Sequence, residues 1–183
     1  MVVGDHPGAT VETEVSLNGL STDALAGTPL AVRELIVRGS GWLAAHGAFD
    51  ACAEMRERFG ERAGRAVVFN ARPADAPDGG ASMELVLELD DMGDVVGSTC
   101  SVQLHDRRKP LRRTAKRVPK LAKGATDISL TQKPEAGKHD PAMLTVVVSF
   151  DPKHGVEELV SRGVRLLDQL AIELDAQRPG QSG

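Results

Sequence analysis

Met83, Leu85, Leu87 and Leu89 alternate with Glu84, Val86, Glu88 and Asp90, the period-two pattern of a strand with one buried and one wetter face. Asp91-Met92-Gly93-Asp94 supplies a turn, and residues 95–105 return as the second arm of a hairpin. The same alternation predicts strands over 11–17, 66–71, 127–131 and 143–150, the last two joined by the loop QKPEAGKHDP.

A different period governs two other stretches. After Thr28 and Pro29, a hydroxyl cap followed by a residue that lacks an N–H where none is needed, apolar residues recur at helical spacing. They are Val32, Leu35, Ile36, Gly39, Trp42, Leu43, His46, Phe49, Cys52, Met55 and Phe59, with Glu34 and Arg38 four apart on the outer side and Gly60 as a stop. Gly39, Gly41 and Gly47 each cost about 1 kcal/mol relative to Ala, so a kink or a turn near Gly47 competes with one long helix over 29–59, and the single helix is the expectation adopted. Toward the C-terminus, Asp151 and Pro152 open a second helix in which Val156, Val160, Gly163, Leu167, Leu170 and Leu174 step by fours and threes, flanked by Leu159, Val164, Leu166 and Ile172. The seam is shorter than three heptads, which favours packing across the chain's own sheet over a coiled coil with a neighbour.

These elements predict an α+β fold: an antiparallel sheet of four to five strands, packed by a long N-terminal helix and a C-terminal amphipathic helix over 156–176. One domain over 11–176 accounts for them, with residues 1–10 and 177–183, rich in Gly, Pro and small polar residues, as flexible ends. A chain of 183 residues is long enough to bury a core without metal or disulfide help.

Charge changes the picture more than composition does. Nine basic residues fall in the seventeen positions 107–123, with no carboxylate among them: Arg107, Arg108, Lys109, Arg112, Arg113, Lys116, Arg117, Lys120 and Lys123. Without them the chain has 13 basic against 26 acidic residues, so a net charge of −4 conceals a basic segment on a strongly acidic body. Pro110 and Pro119 limit the shape of this connection, and a short helix begun at Pro110 would set Leu111, Ala115 and Val118 on one face. The acidic hairpin residues Glu84, Glu88, Asp90, Asp91 and Asp94, of the same or a neighbouring subunit, are the leading counter-charge. Phosphate is the alternative, since Lys and Arg release counterions on binding nucleic acid. The segment has no aromatic to stack on bases and no zinc-finger spacing, so such binding would follow the backbone and ignore sequence.

Other chemistry is poorly represented. Aromatic residues make up 3% of the chain, with no Tyr and one Trp, so the core is built from Val, Leu, Ala and Met, and stacking sites are not expected. Cys52 and Cys100 read as buried free thiols of a reducing compartment. His6, His46, His105, His139 and His154 show no metal spacing, and Cys100 and His105, five apart on a strand, point to opposite faces. The Gly-x-Ser-x-Gly elbow, the phosphate loop and the dinucleotide fingerprint are all absent. No catalytic residue, metal site or cofactor is therefore assigned. There is no secretory signal and no run of eighteen apolar residues, and the expected location is cytoplasmic, or in a virion if the source is a phage.

Leu25-Ala26-Gly27-Thr28-Pro29-Leu30 before a long helical stretch, strands beginning near Val67-Val68-Phe69, and a final amphipathic helix around 163–174 together resemble an uncharacterised bacterial α+β domain family. That family opens with a Gly-Gly-Pro-Leu element where this chain has Gly27-Thr28-Pro29-Leu30. The resemblance concerns the order of elements, does not include the basic segment, and implies no activity. The functional expectation is thus a non-enzymatic interaction or assembly module that meets itself or another protein subunit. Sequence-indifferent nucleic-acid binding through 107–123 is the alternative, and no membrane partner is expected.

Overall fold

The computed structural model describes residues 10–16, 49–58, 64–73, 80–135, 137 and 141–178, with side chains described for 65–72, 80–135, 137 and 141–178. Seven strands form one sheet: β1 Thr10–Ser16, β2 Phe49–Arg58, β3 Gly64–Pro73, β4 Ala81–Leu89, β5 Val95–Asp106, β6 Ala125–Lys133 and β7 Ala142–Phe150. Their order is β1-β2-β3-β4-β5-β7-β6, and every neighbouring pair is antiparallel. Three helices are described, α1 Arg108–Ala115, α2 Val118–Leu121 and α3 Val156–Ala176.

The α+β class, the β4–β5 hairpin and the C-terminal helix match the sequence reading. The long N-terminal helix does not: Phe49–Arg58, its last third, is a strand held on both sides, by β1 from Thr10↔Arg58 to Ser16↔Cys52 and by β3 from Phe49↔Pro73 to Arg58↔Gly64. The physical reason is that Phe49, Ala51, Ala53 and Met55 also alternate with Asp50, Glu54 and Arg56, and two flanking ladders outweigh the helix propensity of Ala, Glu, Met and Arg. The rest of the predicted helix, and the predicted flexible ends 1–9 and 179–183, lie outside the described residues. With β2 added to the six stretches that alternate, the sheet has seven strands, more than the four to five assigned to it from the sequence.

One face of the sheet carries the main core, although Ala66 and Val68 of β3, on the other face, are buried as well. Val67, Phe69, Met83, Leu85, Leu87, Cys100, Val102, Leu104, Leu144, Val146 and Val148 all point to it and are at most 2% exposed. Alternation sends Glu84, Val86, Glu88, Thr99, Ser101 and His105 to the other face. Over the core face α3 lies against β4 and β5, burying Leu159, Val160, Gly163, Val164, Leu167, Leu170 and Leu174, while α1 and α2 lie beside it, with α1 against β5 and β7.

The basic connection exists because of strand order. β7 separates β6 from β5, so β6 runs parallel to β5, and the chain must travel back along the sheet after Asp106 before β6 can begin. Asp127 is level with Ser149 and hence with Thr99, seven residues back from Asp106, a return of roughly 24 Å at ~3.4 Å per residue. Residues 107–124 cover that return on the helical side of the sheet.

Candidate functional site

In α1, Pro110 occupies the first turn, where its missing N–H would have found no partner in the helix. Pro119 has no N–H to donate to the carbonyl of Ala115, so the first helix ends there and α2 restarts, with Pro119 in its own first turn. Leu111, Ala115, Val118 and Ala122 step by four, three and four and are all buried, which realises the face expected from the sequence. They join the same core as α3 and the sheet, so the pair of short helices is anchored along its length.

The outward face of this pair is basic. Arg107, Arg108, Lys109, Arg112, Arg113, Lys116, Arg117, Lys120 and Lys123 are all exposed. Among the described residues the one ion pair they make is Arg117 Nε to Glu173 Oε1 at 3.6 Å. Arg112 and Arg113 suit the negative end of the α1 dipole, but Arg108 and Lys109 stand at its positive end, and the first turn has no acidic residue. The backbone there is answered from outside the helix, with Arg107 N donating to Asp106 Oδ1 at 2.6 Å and Arg108 N to Glu135 Oε1 at 3.5 Å. Helix stability therefore does not account for the cations at this end.

Among the described residues no ion pair joins the acidic hairpin to the basic face. Glu84 and Glu88 point to the opposite face of the sheet, since Met83, Leu85, Leu87 and Leu89 take the helical side. Asp90, Asp91 and Asp94 form the hairpin tip; Arg107 lies the twelve residues of β5 away, about 40 Å at ~3.4 Å each, while the return of 107–124 carries Lys123 back toward the level of Thr99, nearer that tip. Asp90 Oδ1 is occupied in closing that turn, accepting from Met92 N and Asp94 N at 2.9 Å each, while Gly93 takes the positive φ of 88° the turn requires.

Two features border the basic face. Arg178 donates to Asp106 Oδ2 and Asp175 Oδ1, both at 2.6 Å, tying the end of α3 to the end of β5; the hydrogen bond to Asp106 is the main cause holding the guanidinium pKa above its ordinary value. At the other end, an open cleft of about 370 Å³ is lined by Lys123, Gly124, Phe150, Glu158, Arg162, Arg165 and Leu166 among others. Arg162 Nε donates to Glu158 Oε1 at 2.8 Å, which lowers the Glu158 pKa, and its guanidinium also reaches the Gly124 carbonyl. A Cβ on Gly124, whose φ is +80°, would collide with that guanidinium. Sequence reading missed Arg162 and Arg165, because on α3 they read as ordinary solvent-facing charges.

Cys100 and His105 stand on opposite faces of β5, as their spacing implied, and Cys100 is buried in the core with its thiol pKa pushed up to about 12 by desolvation. His6, His46 and His139 lie outside the described residues, as does the Cys52 side chain. Among the described residues no group of three or more His, Cys, Asp or Glu could hold a metal ion, and no helix is long and apolar enough to cross a membrane. The arrangement offers a preformed, rigidly backed cationic surface, able to hold an anionic surface or polymer by charge. No family model, curated protein or solved structure matches this chain.

Proposed function

We propose that this chain is a non-enzymatic assembly module, in which the basic helical face of one subunit docks on the acidic surface of another. The observation that supports the reading is the separation of charge by face. Nine exposed cations stand on the helical side with one ion pair to another described residue, while Glu84 and Glu88 point away on the other side of the sheet. A basic front meeting an acidic back joins two different surfaces, and such heterologous contacts build rings or open filaments rather than closed pairs. A subunit of a larger, phage-like structure fits that geometry.

Light scattering across a salt series tests the reading. Species larger than a dimer are expected at low ionic strength and should break down as salt rises, because exposed charges are screened beyond the Debye length. Replacing Arg112, Arg113, Lys116 and Arg117 together by Gln should abolish those species at low salt. A mass indifferent to both salt and substitution overturns the proposal.

A second reading rests on the shape of the basic face. Residues 107–124 retrace roughly 24 Å along the sheet at ~3.4 Å per residue, presenting cations but no aromatic side chain. That suits a nucleic-acid backbone read without regard to sequence. It requires that DNA or RNA bind at low salt with affinity falling steeply as salt rises, and the absence of any binding at low salt rejects it.

A further inference from the structure

β6 stands at the end of the strand order and, among the described strands, is hydrogen-bonded to β7 alone. Seven of its nine residues are exposed, whereas β7 beside it has none exposed. Edge strands are ordinarily protected by a central Lys, Pro or bulge that spoils them as templates for another chain. In β6 the irregularity falls at its start, between Ala125 and Asp127, and charge is confined to Asp127 and Lys133. Residues 128–132, Ile-Ser-Leu-Thr-Gln, are uncharged and regular, and Leu130 is 41% exposed although it points to the core side of the sheet.

Asp127 and Lys133 each lie three positions from Leu130, so both sit on one face of the strand. Both are exposed, and neither makes an ion pair among the described residues. We propose that β6 pairs antiparallel with β6 of a second copy, about a two-fold axis at Leu130, so that one sheet continues through both molecules. This register sets Asp127 opposite Lys133 of the second copy, twice by symmetry, with Ser129 opposite Thr131 and Leu130 opposite itself. The alternatives are poorer. Shifting the sum of paired positions by two one way leaves Asp127 facing Thr131 and Lys133 facing Ala125; shifting it the other way sets Asp127 against Glu135, a like charge.

The occupant is a second copy because the charges are complementary only under that symmetry, and the inference does not rest on the docking of basic and acidic faces. The two contacts also differ in their dependence on salt. A two-fold axis normal to the sheet leaves both helical layers on one side, with the basic α1 and α2 of each copy flanking the paired strands. Salt screens their repulsion and the two Asp127–Lys133 pairs alike, while the backbone hydrogen bonds and the Leu130 contact do not depend on charge, so the β6 dimer persists where basic-to-acidic docking fails. A contact made by one strand from each copy is smaller than a standard interface of about 1,600 Å², so dimer and monomer should exchange reversibly.

Sedimentation of the full chain over a range of concentrations, at about 0.1 M and about 1 M salt, where the Debye lengths are ~10 and ~3 Å, reads this out. A dimer is expected to remain at the higher salt. Leu130→Lys should raise its dissociation constant at least tenfold with the monomer's melting temperature unchanged. Asp127→Lys should weaken it likewise at the lower salt, and Asp127→Lys with Lys133→Asp should restore it. Mild oxidation of Leu130→Cys should crosslink the dimer through the introduced thiol at the axis. A monomer at high salt at every concentration, or a dimer untouched by Leu130→Lys, or a double charge swap no better than the single one, overturns the inference. Large salt-labile species without a high-salt dimer would sink the β6 pairing and leave the docking proposal standing; a dimer alone would do the reverse.

Discussion

Gly163 of α3 passes so close to Met83 of β4 that a Cβ built on Gly163 would stand 2.9 Å from the Met83 sulfur. The Cys100 sulfur on β5 would lie 3.4 Å away, so the helix crosses the sheet at a point with no room for a side chain. A glycine inside a helix costs about 1 kcal/mol relative to Ala, and here that cost is offset by the close approach of α3 to its two strands. Gly163→Ala should be nearly neutral, because the propensity gained is spent in displacing a flexible thioether. Gly163→Val should destabilise the fold by about 1–3 kcal/mol through overpacking. Adding Met83→Ala to Gly163→Val should cost less than the sum of the two single changes, as measured by urea unfolding.

Thr114 of α1 is fully buried, and its hydroxyl finds no hydrogen-bond partner among the described residues. The backbone carbonyl of the same residue accepts from Arg117 N at 2.8 Å, so the turn between the two basic helices is satisfied without the side chain. Thr114→Val keeps the shape and removes the orphaned hydroxyl, and should raise stability by about 1 kcal/mol. Thr114→Ser keeps the hydroxyl and loses the buried methyl, and should lower stability by about 1 kcal/mol. Urea midpoints of the two variants on either side of wild type would bear this out, and the same midpoint for all three would refute it.

The Cys100 thiol, buried between Leu85 and Val148 in the strand register, keeps its proton up to about 12. In the unfolded chain a thiol ionises near ~8.5, so as pH climbs the unfolded state loses its proton first and the folded state falls behind. The sign is therefore a loss of stability with rising pH between the two values, by up to about tenfold per pH unit in the folding equilibrium. Cys100→Ala lacks this dependence. It should be less stable than wild type near pH 8, and the gap should narrow above the unfolded-state pKa. Unfolding of the pair across that range checks it, and a constant gap would count against the buried neutral thiol.

Much of the core was legible because one face of each central strand is apolar. Met83, Leu85, Leu87 and Leu89 repeat at two, and all four are buried. Val156, Val160, Gly163, Leu167 and Leu170 repeat at helical spacing, and all face the sheet. The stretch 49–58 was ambiguous because Phe49, Cys52 and Met55 suit a helix while Phe49, Ala51, Ala53 and Met55 suit a strand. What decided it was pairing with β1 and β3, which no local pattern contains. The basic segment was legible as charge, and its buried stripe of Leu111, Ala115 and Val118 as a short helix. Its placement on the face opposite Glu84 and Glu88 was not, because that depends on which side of the sheet the connection crosses.

Lys109 separates a functional basic face from a merely solvated one. It is exposed in the first turn of α1, where the helix dipole favours an anion and the helix itself supplies none, the Asp106 and Glu135 carboxylates there coming from β5 and from the chain after β6. Lys109→Glu should therefore stabilise the isolated fold, by about 0.3–1 kcal/mol at low ionic strength. If the face docks on an anionic partner, the same change replaces attraction by repulsion and should weaken low-salt assembly, or nucleic-acid binding under the second reading, while melting temperature rises. Lys109→Gln should fall between the two in both measurements. A solvated helix face without a partner predicts the gain in stability alone. Opposite movement of stability and association in one variant is what a surface kept for binding requires.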